Sequence, residues 1–308
     1  MAARTAIATI ALMTAVIELD HLTKRYGSAR GIEDVTLNIE SGEVFGFLGP
    51  NGAGKTTTIR TLLGLLRPMT GRARVFGLDS RADAAAIHAR LGNLPGDFAY
   101  EPKLTGRALL RYLADLRGLR DLGRASELAE RFHADLDRPL SELSRGNRQK
   151  IGLVQAAFHD PELLVLDEPT SGLDPLMQEA FLRFVAEERQ RGHTVLLSSH
   201  ELDEVERACD RVAIIREGRL ITVEDVAAIT GRSYRHVTLE FADRVDPDEF
   251  RRLPGVIDLV PNRRRVTFKA TGDLDPVIKA AARHTVIDIE LTHPTLDEVF
   301  LTYYGADA

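Results

Sequence analysis

The apolar positions fall into two kinds of run along this chain. Short, unbroken apolar stretches bounded by turn residues recur at Val44–Leu48, Leu163–Leu166, Thr194–Ser198 and Val212–Ile215. Runs of this length with no polar alternation predict strands buried on both faces, as in a parallel sheet. Between them lie stretches with helical spacing, beginning with Thr57–Leu66. A long, mostly helical insert, about residues 82–160, separates the first strand from the second, and Glu217-Gly218 after the fourth predicts a hairpin turn. The alternation predicts an α/β layer fold with a largely parallel sheet.

The pattern changes after about Gly231. Strand His236–Phe241, helix Pro247–Leu253, strands Val256–Val260 and Val266–Ala270, helix Leu274–Arg283 and strand Val286–Leu291 follow in turn. This β-α-β-β-α-β order predicts a small α+β domain of ferredoxin-like type over residues 232–308, closed by an amphipathic helix at Thr295–Tyr304. Residues 16–231 form the larger domain. Residues 1–15 are expected to be a disordered extension, since Met13 itself opens a conventional start.

Composition narrows the class. The 308 residues are 44% hydrophobic and 28% charged, with a net charge of -6. No basic domain marks a nucleic-acid binder, so no nucleic acid is expected as a partner. Arg263-Arg264-Arg265, between two strands, predicts a solvated hairpin turn. The single cysteine, Cys209, rules out an intrachain disulfide. No apolar run is long enough for a spanning helix.

Candidate chemistry begins at Gly49-Pro50-Asn51-Gly52-Ala53-Gly54-Lys55-Thr56. A glycine-rich turn that follows a strand and opens a helix wraps backbone N–H groups around phosphate, and the helix N-terminus adds its positive end. Lys55 is placed for the β- and γ-phosphates, the Thr56 hydroxyl for Mg²⁺, and Thr57 continues the cradle. At the end of the apolar run Leu163–Leu166 stand two acids, Asp167 and Glu168. Two carboxylates at the edge of a buried strand are costly without a cation or proton to handle. Asp167 suits Mg²⁺, and Glu168 suits polarising an attacking water.

These residues, with others in the same order across about Val16 to Gly218, closely resemble the ABC ATPase family. Tyr26 precedes the phosphate loop where the family stacks adenine. Leu143-Ser144-Arg145-Gly146-Asn147 resembles the family signature, with Ser144 able to cap a helix starting near Arg148. Ser171-Gly172-Leu173-Asp174 is similar to the D-loop, and His200, one of nine histidines, stands at the switch position. The resemblance implies a P-loop NTPase sheet with a helical insert, ATP and Mg²⁺ as ligands, and a γ-phosphate contact from His200. It also implies a head-to-tail homodimer in which Ser144 and Gly146 complete the site of a second copy and Asp174 helps place that copy. The chain departs from the family in two ways that bear on the site. Arg145-Gly146-Asn147 replaces Gly-Gly-Gln, and Gly96 stands where a glutamine usually reaches the metal, so that Asp97 becomes a possible substitute ligand.

One phosphate loop and a short insert point to a transporter subunit. The partner is then a separate transmembrane permease, docked near Leu94–Leu116, and the location the cytoplasmic face of the membrane. The ending Pro294–Tyr304 resembles ATPases of ABC-2-type drug and antibiotic exporters. The competing function is a soluble, non-transport ABC ATPase.

Overall fold

The computed structural model describes residues 15–27, 29–97, 101–228 and 234–292. Residues 1–14 and the expected closing helix Thr295–Tyr304 lie outside these. The chain divides into two compact units, the first ending at Val223 and the second starting at Glu224, ahead of the boundary expected at residue 231.

The first unit opens with strands β1 (Ala15–Tyr26), β2 (Ala29–Glu40) and β3 (Val44–Leu48), then helix α1 (Lys55–Leu62). Next come β4 (Thr70–Val75), β5 (Leu78–Asp79), α2 (Ala84–Arg90), β6 (Leu91–Leu94), α3 (Gly106–Leu116), α4 (Gly123–Arg131) and α5 (Arg145–Ala157). It continues with β7 (Leu163–Asp167), α6 (Pro175–Gln190), β8 (Thr194–Ser199), α7 (Leu202–Ala208), β9 (Arg211–Arg216) and β10 (Arg219–Asp225). Six strands form one sheet in the order β10-β9-β3-β8-β7-β6, and β9, β3, β8, β7 and β6 are joined by parallel pairing. Every residue of β3, β7 and β8 is buried, as their unbroken apolar runs require. Glu217 and Gly218 both take positive φ, 52° and 82°, at the tight turn joining β9 to β10.

A second sheet, β2-β1-β4-β5, is antiparallel and was not expected from the sequence. Its Ile17, Leu22, Val35 and Ile39 belong to one core cluster with Phe45 and Phe47 of β3, Ile59 and Leu62 of α1, and Val165 of β7. Each such side chain contributes about 1.5–3 kcal/mol through burial, and together they clamp α1 and the turn before it. The expected helical insert is helical from α3 to α5, but it begins with α2 and the strand β6, which pairs with β7 on the sheet edge.

The second unit has β11 (Arg235–Phe241), α8 (Pro247–Arg251), β12 (Val256–Asn262), β13 (Arg265–Ala270), α9 (Asp275–Ala281) and β14 (Val286–Thr292). The strand order β12-β13-β11-β14, all antiparallel, is the ferredoxin-like arrangement. Its own core includes Leu239, Phe241, Phe250, Phe268 and Val277. Arg263 and Arg264 form the exposed turn between β12 and β13, and Arg265 pairs with Glu240 across strands.

Candidate functional site

Neighbouring parallel strands β3, β8 and β7 carry the candidate groups on the loops leaving their C-terminal ends. The glycine-rich loop leaves β3 and enters α1 at Gly54, whose φ of 115° is closed to residues with a Cβ. No acidic residue occupies the first turn of α1, and Arg60 lies in its last, so the helix N-terminus keeps its positive end free for an anion. A cleft of about 260 Å³ opens over this turn, lined by Gly31, by residues 50–57, among them Asn51, Gly52, Ala53, Lys55, Thr56 and Thr57, and by Glu168.

Lys55 is 5% exposed. Its ammonium donates to the Gly49 carbonyl at 2.6 Å and lies 3.0 Å from Glu168 Oε1. Thr56 Oγ1 donates to Asp167 Oδ2 at 2.8 Å, and Ser198 Oγ donates to Asp167 Oδ1 at 2.5 Å. Asp167 is therefore a buried carboxylate held on both oxygens. With the Thr56 hydroxyl it presents the hard oxygen donors that suit Mg²⁺.

Glu168 takes φ 51°, a left-handed conformation uncommon for any residue with a Cβ. Its backbone N–H donates to Ser198, and Gln149 Nε2 donates to the Glu168 carbonyl at 3.0 Å and the Pro169 carbonyl at 2.9 Å. The side chain is thereby turned back into the cleft. Glu168 Oε2 lies 2.6 Å from His200 Nδ1, so one carboxylate bridges Lys55 and His200.

Other expected site residues lie apart from this cluster. Tyr26 ends β1, is 42% exposed and does not line the cleft; Lys24 Nζ stands 5.7 Å from its ring centre. Ser144 caps α5, accepting from Asn147 N at 3.2 Å, so that helix starts at Arg145, three residues earlier than expected. Gly146 packs on the D-loop of the same chain: a Cβ there would stand 2.5 Å from the Gly172 carbonyl. Arg145 Nη2 also donates to Ser171 Oγ at 2.8 Å. Asp174 caps α6 by accepting from Met177 N at 3.0 Å. Gly96 faces Asp167, where an added Cβ would come within 3.1 Å of Oδ2, and Asp97 is exposed beside it.

Ser198 and Gln149 escaped the sequence reading. For Ser198 there was a signal, because a polar pair, Ser198-Ser199, ends an otherwise apolar strand beside His200. Gln149 gave none, since a polar residue inside a helix has no visible target.

The sequence pattern of the ABC transporter family matches residues 32–171. Daunorubicin resistance ATP-binding protein DrrA3 of Streptomyces coeruleorubidus is 36% identical over 94% of this chain and 96% of its own. The chain belongs to the ABC transporter family. Bacitracin transport ATP-binding protein BcrA of Bacillus licheniformis is 35% identical over 75% of this chain and 77% of its own. The solved dimeric structure of MJ0796, a bacterial ABC transporter cassette, shares the fold with a TM-score of 0.63 at 21% identity, covering 68% of this chain and 98% of that one. The chain is thus an ABC ATPase, and among the described residues no helix is long and apolar enough to cross a membrane.

Proposed function

We propose that this ABC ATPase is the energy-coupling subunit of an exporter, working as a head-to-tail homodimer on the cytoplasmic face of the membrane against a separate permease. One observation carries the chemistry: Glu168 is held between Lys55 and His200 at the edge of the phosphate cleft. Bound triphosphate meets the N–H groups of the loop and the start of α1. Its γ-phosphate competes with Glu168 for the Lys55 ammonium. Once released, Glu168 Oε1 is free to accept a proton from the attacking water, while the contact to His200 keeps the carboxylate in place. Electrons from the water oxygen form the new bond to phosphorus, and the bond to the ADP oxygen breaks. Thr56 and Asp167 would hold Mg²⁺, which neutralises charge on the phosphate oxygens.

The dimer reading is supported by the placement of Ser144 at the N-terminus of α5. It is a second anion-ready helix end that does not line this chain's cleft. Ser144 is exposed there and can meet the nucleotide of another copy, with Gly146 beside it. The export reading is supported by relatives named for bacitracin transport and daunorubicin resistance. ATP-driven closure of the pair then shifts the permease between its states. The test is a pull-down of tagged Glu168→Gln from detergent-solubilised membranes with Mg-ATP. Stoichiometric recovery of a polytopic membrane protein is the expected result. Recovery of soluble protein or RNA alone would remove the transport assignment and leave the ATPase chemistry standing.

A further inference from the structure

Glu204 is a carboxyl with no part in the chemistry above. It lies within α7 and is 6% exposed. Ser199 Oγ, on a residue only 1% exposed, donates to Glu204 Oε2 at 2.5 Å, while Glu204 Oε1 has no hydrogen-bond partner. Glu201 N donates to Ser199 Oγ at 3.0 Å. The serine hydroxyl therefore closes the turn between β8 and α7, and His200 is the residue inside that turn. Ser199 also ties this turn to the phosphate loop, since its carbonyl accepts from Gly49 N at 3.3 Å. Thr170, two residues past Glu168, stands beside the same carboxyl.

We propose that Glu204 is a positioning residue for ATP hydrolysis: through Ser199 it fixes the turn bearing His200, and with it the contact between His200 and Glu168. The proposal rests on the assignment of Glu168 and His200 to hydrolysis. The charged groups facing Glu204 are acidic, Glu201 at the start of α7 and Glu168 at the end of β7, with the Cys209 thiol just past the helix. Arg207 of α7 is taken by Glu179 of α6 and faces Asp203, and β3 offers no titratable group. Burial, aided by the two acidic neighbours against the pull of the nearby Ser199 and Thr170 hydroxyls, pushes the carboxyl up to about 7. Near neutrality a glutamine is therefore a fair replacement for it, whereas alanine takes away the carboxyl acceptor and leaves the Ser199 hydroxyl only its contacts with the Glu201 backbone.

The experiment measures kcat and KM for ATP in the full-length protein carrying Glu204→Ala, Glu204→Gln, Ser199→Ala or both alanines. Each alanine variant is expected to lose about 10- to 100-fold in kcat with little change in KM. The double variant should be no worse than either single one, and Glu204→Gln should restore most of the lost rate. Losses that multiply in the double variant, a Gln variant no better than Ala, or a fall in KM performance without kcat would each overturn the proposal. Should the alanine variant fail to fold, Glu204→Asp withdraws the carboxyl by one methylene; kcat equal to wild type in that folded variant also overturns it. Glu168→Gln, run alongside, separates the two readings. Rapid turnover by it defeats the hydrolytic assignment itself, whereas an inactive Glu168→Gln beside wild-type Glu204 variants defeats the positioning role alone.

Discussion

Glu168→Gln should do two things at once, because Glu168 occupies Lys55 before nucleotide arrives. The ammonium and Oε1 are 3.0 Å apart, with the lysine side chain 6% exposed and the glutamate 21%. An exposed ion pair contributes about 0.2–1 kcal/mol and breaking a buried one costs about 3–5 kcal/mol, which puts this half-buried pair at about 1–2 kcal/mol. The amide of glutamine offers Lys55 only a neutral oxygen. The γ-phosphate then has less to displace, and ATP affinity should rise about 5- to 30-fold. Hydrolysis should fall about 10²- to 10⁴-fold with loss of the base. Calorimetric titration of ATP without Mg²⁺, at protein concentrations that keep the chain monomeric, isolates the first effect from dimer trapping. Single-turnover hydrolysis with Mg²⁺ reads the second. An affinity that stays the same or weakens would refute the competition between Glu168 and phosphate, whatever happens to the rate.

Three further outcomes follow from the geometry. Ser198→Ala frees Asp167 Oδ1 and should raise the Mg²⁺ concentration for half-maximal ATPase activity about 10-fold or more, while Asp97→Ala should raise it slightly; unchanged Mg²⁺ dependence in either variant removes that residue from the metal site. Gly146→Ala drives a methyl group towards the Gly172 carbonyl and should lower stability by about 1–3 kcal/mol, read as a drop in Tm, with ATPase activity lost before nucleotide binding. Burial pulls His159 down from 6.5 to about 4, so its unfolded form binds the extra proton and stability rises with pH through that range; Glu204, pushed from 4.5 to about 7, binds its extra proton when folded and lowers stability as pH rises. The two oppose each other between about pH 4.5 and 6.5. Relative to wild type in urea unfolding, His159→Gln should therefore gain at the acid end, and Glu204→Gln at the neutral end by about 3 kcal/mol; a common sign for both would contradict the buried placement.

What the sequence made legible was whatever is buried on two faces or built for phosphate. β3 is apolar throughout and β7, β8 and β9 have unbroken apolar centres, and the groups on the loops after them are recognisable because their chemistry has few other uses. The antiparallel sheet was hidden because β1 never keeps a period of two. Its pairing with β2 slips at several points, and His21 and Asp34 both take positive φ. β6, Leu91-Gly92-Asn93-Leu94, is too short and too polar to stand out inside a helical stretch. The small second unit was readable because β11 and β13 at the middle of its sheet alternate cleanly, as in Arg235–Phe241. Within the site, Lys55, Asp167, Glu168 and His200 were visible, but the groups that hold them were not. Gln149, Ser198 and Glu204 act through backbone carbonyls and neighbouring side chains, and such partners are set by packing across elements far apart in the chain.

The left-handed backbone at Glu168 has an evolutionary edge. A φ of 51° suits glycine or asparagine, and a glutamate there carries a penalty of about 1 kcal/mol or more. In Glu168→Gly or Glu168→Asn the relieved strain offsets the lost Lys55 contact, so each variant should keep about the original stability while no longer turning over ATP. A selection for thermostability is therefore blind to this one position, and a library selected that way must be counter-screened for turnover.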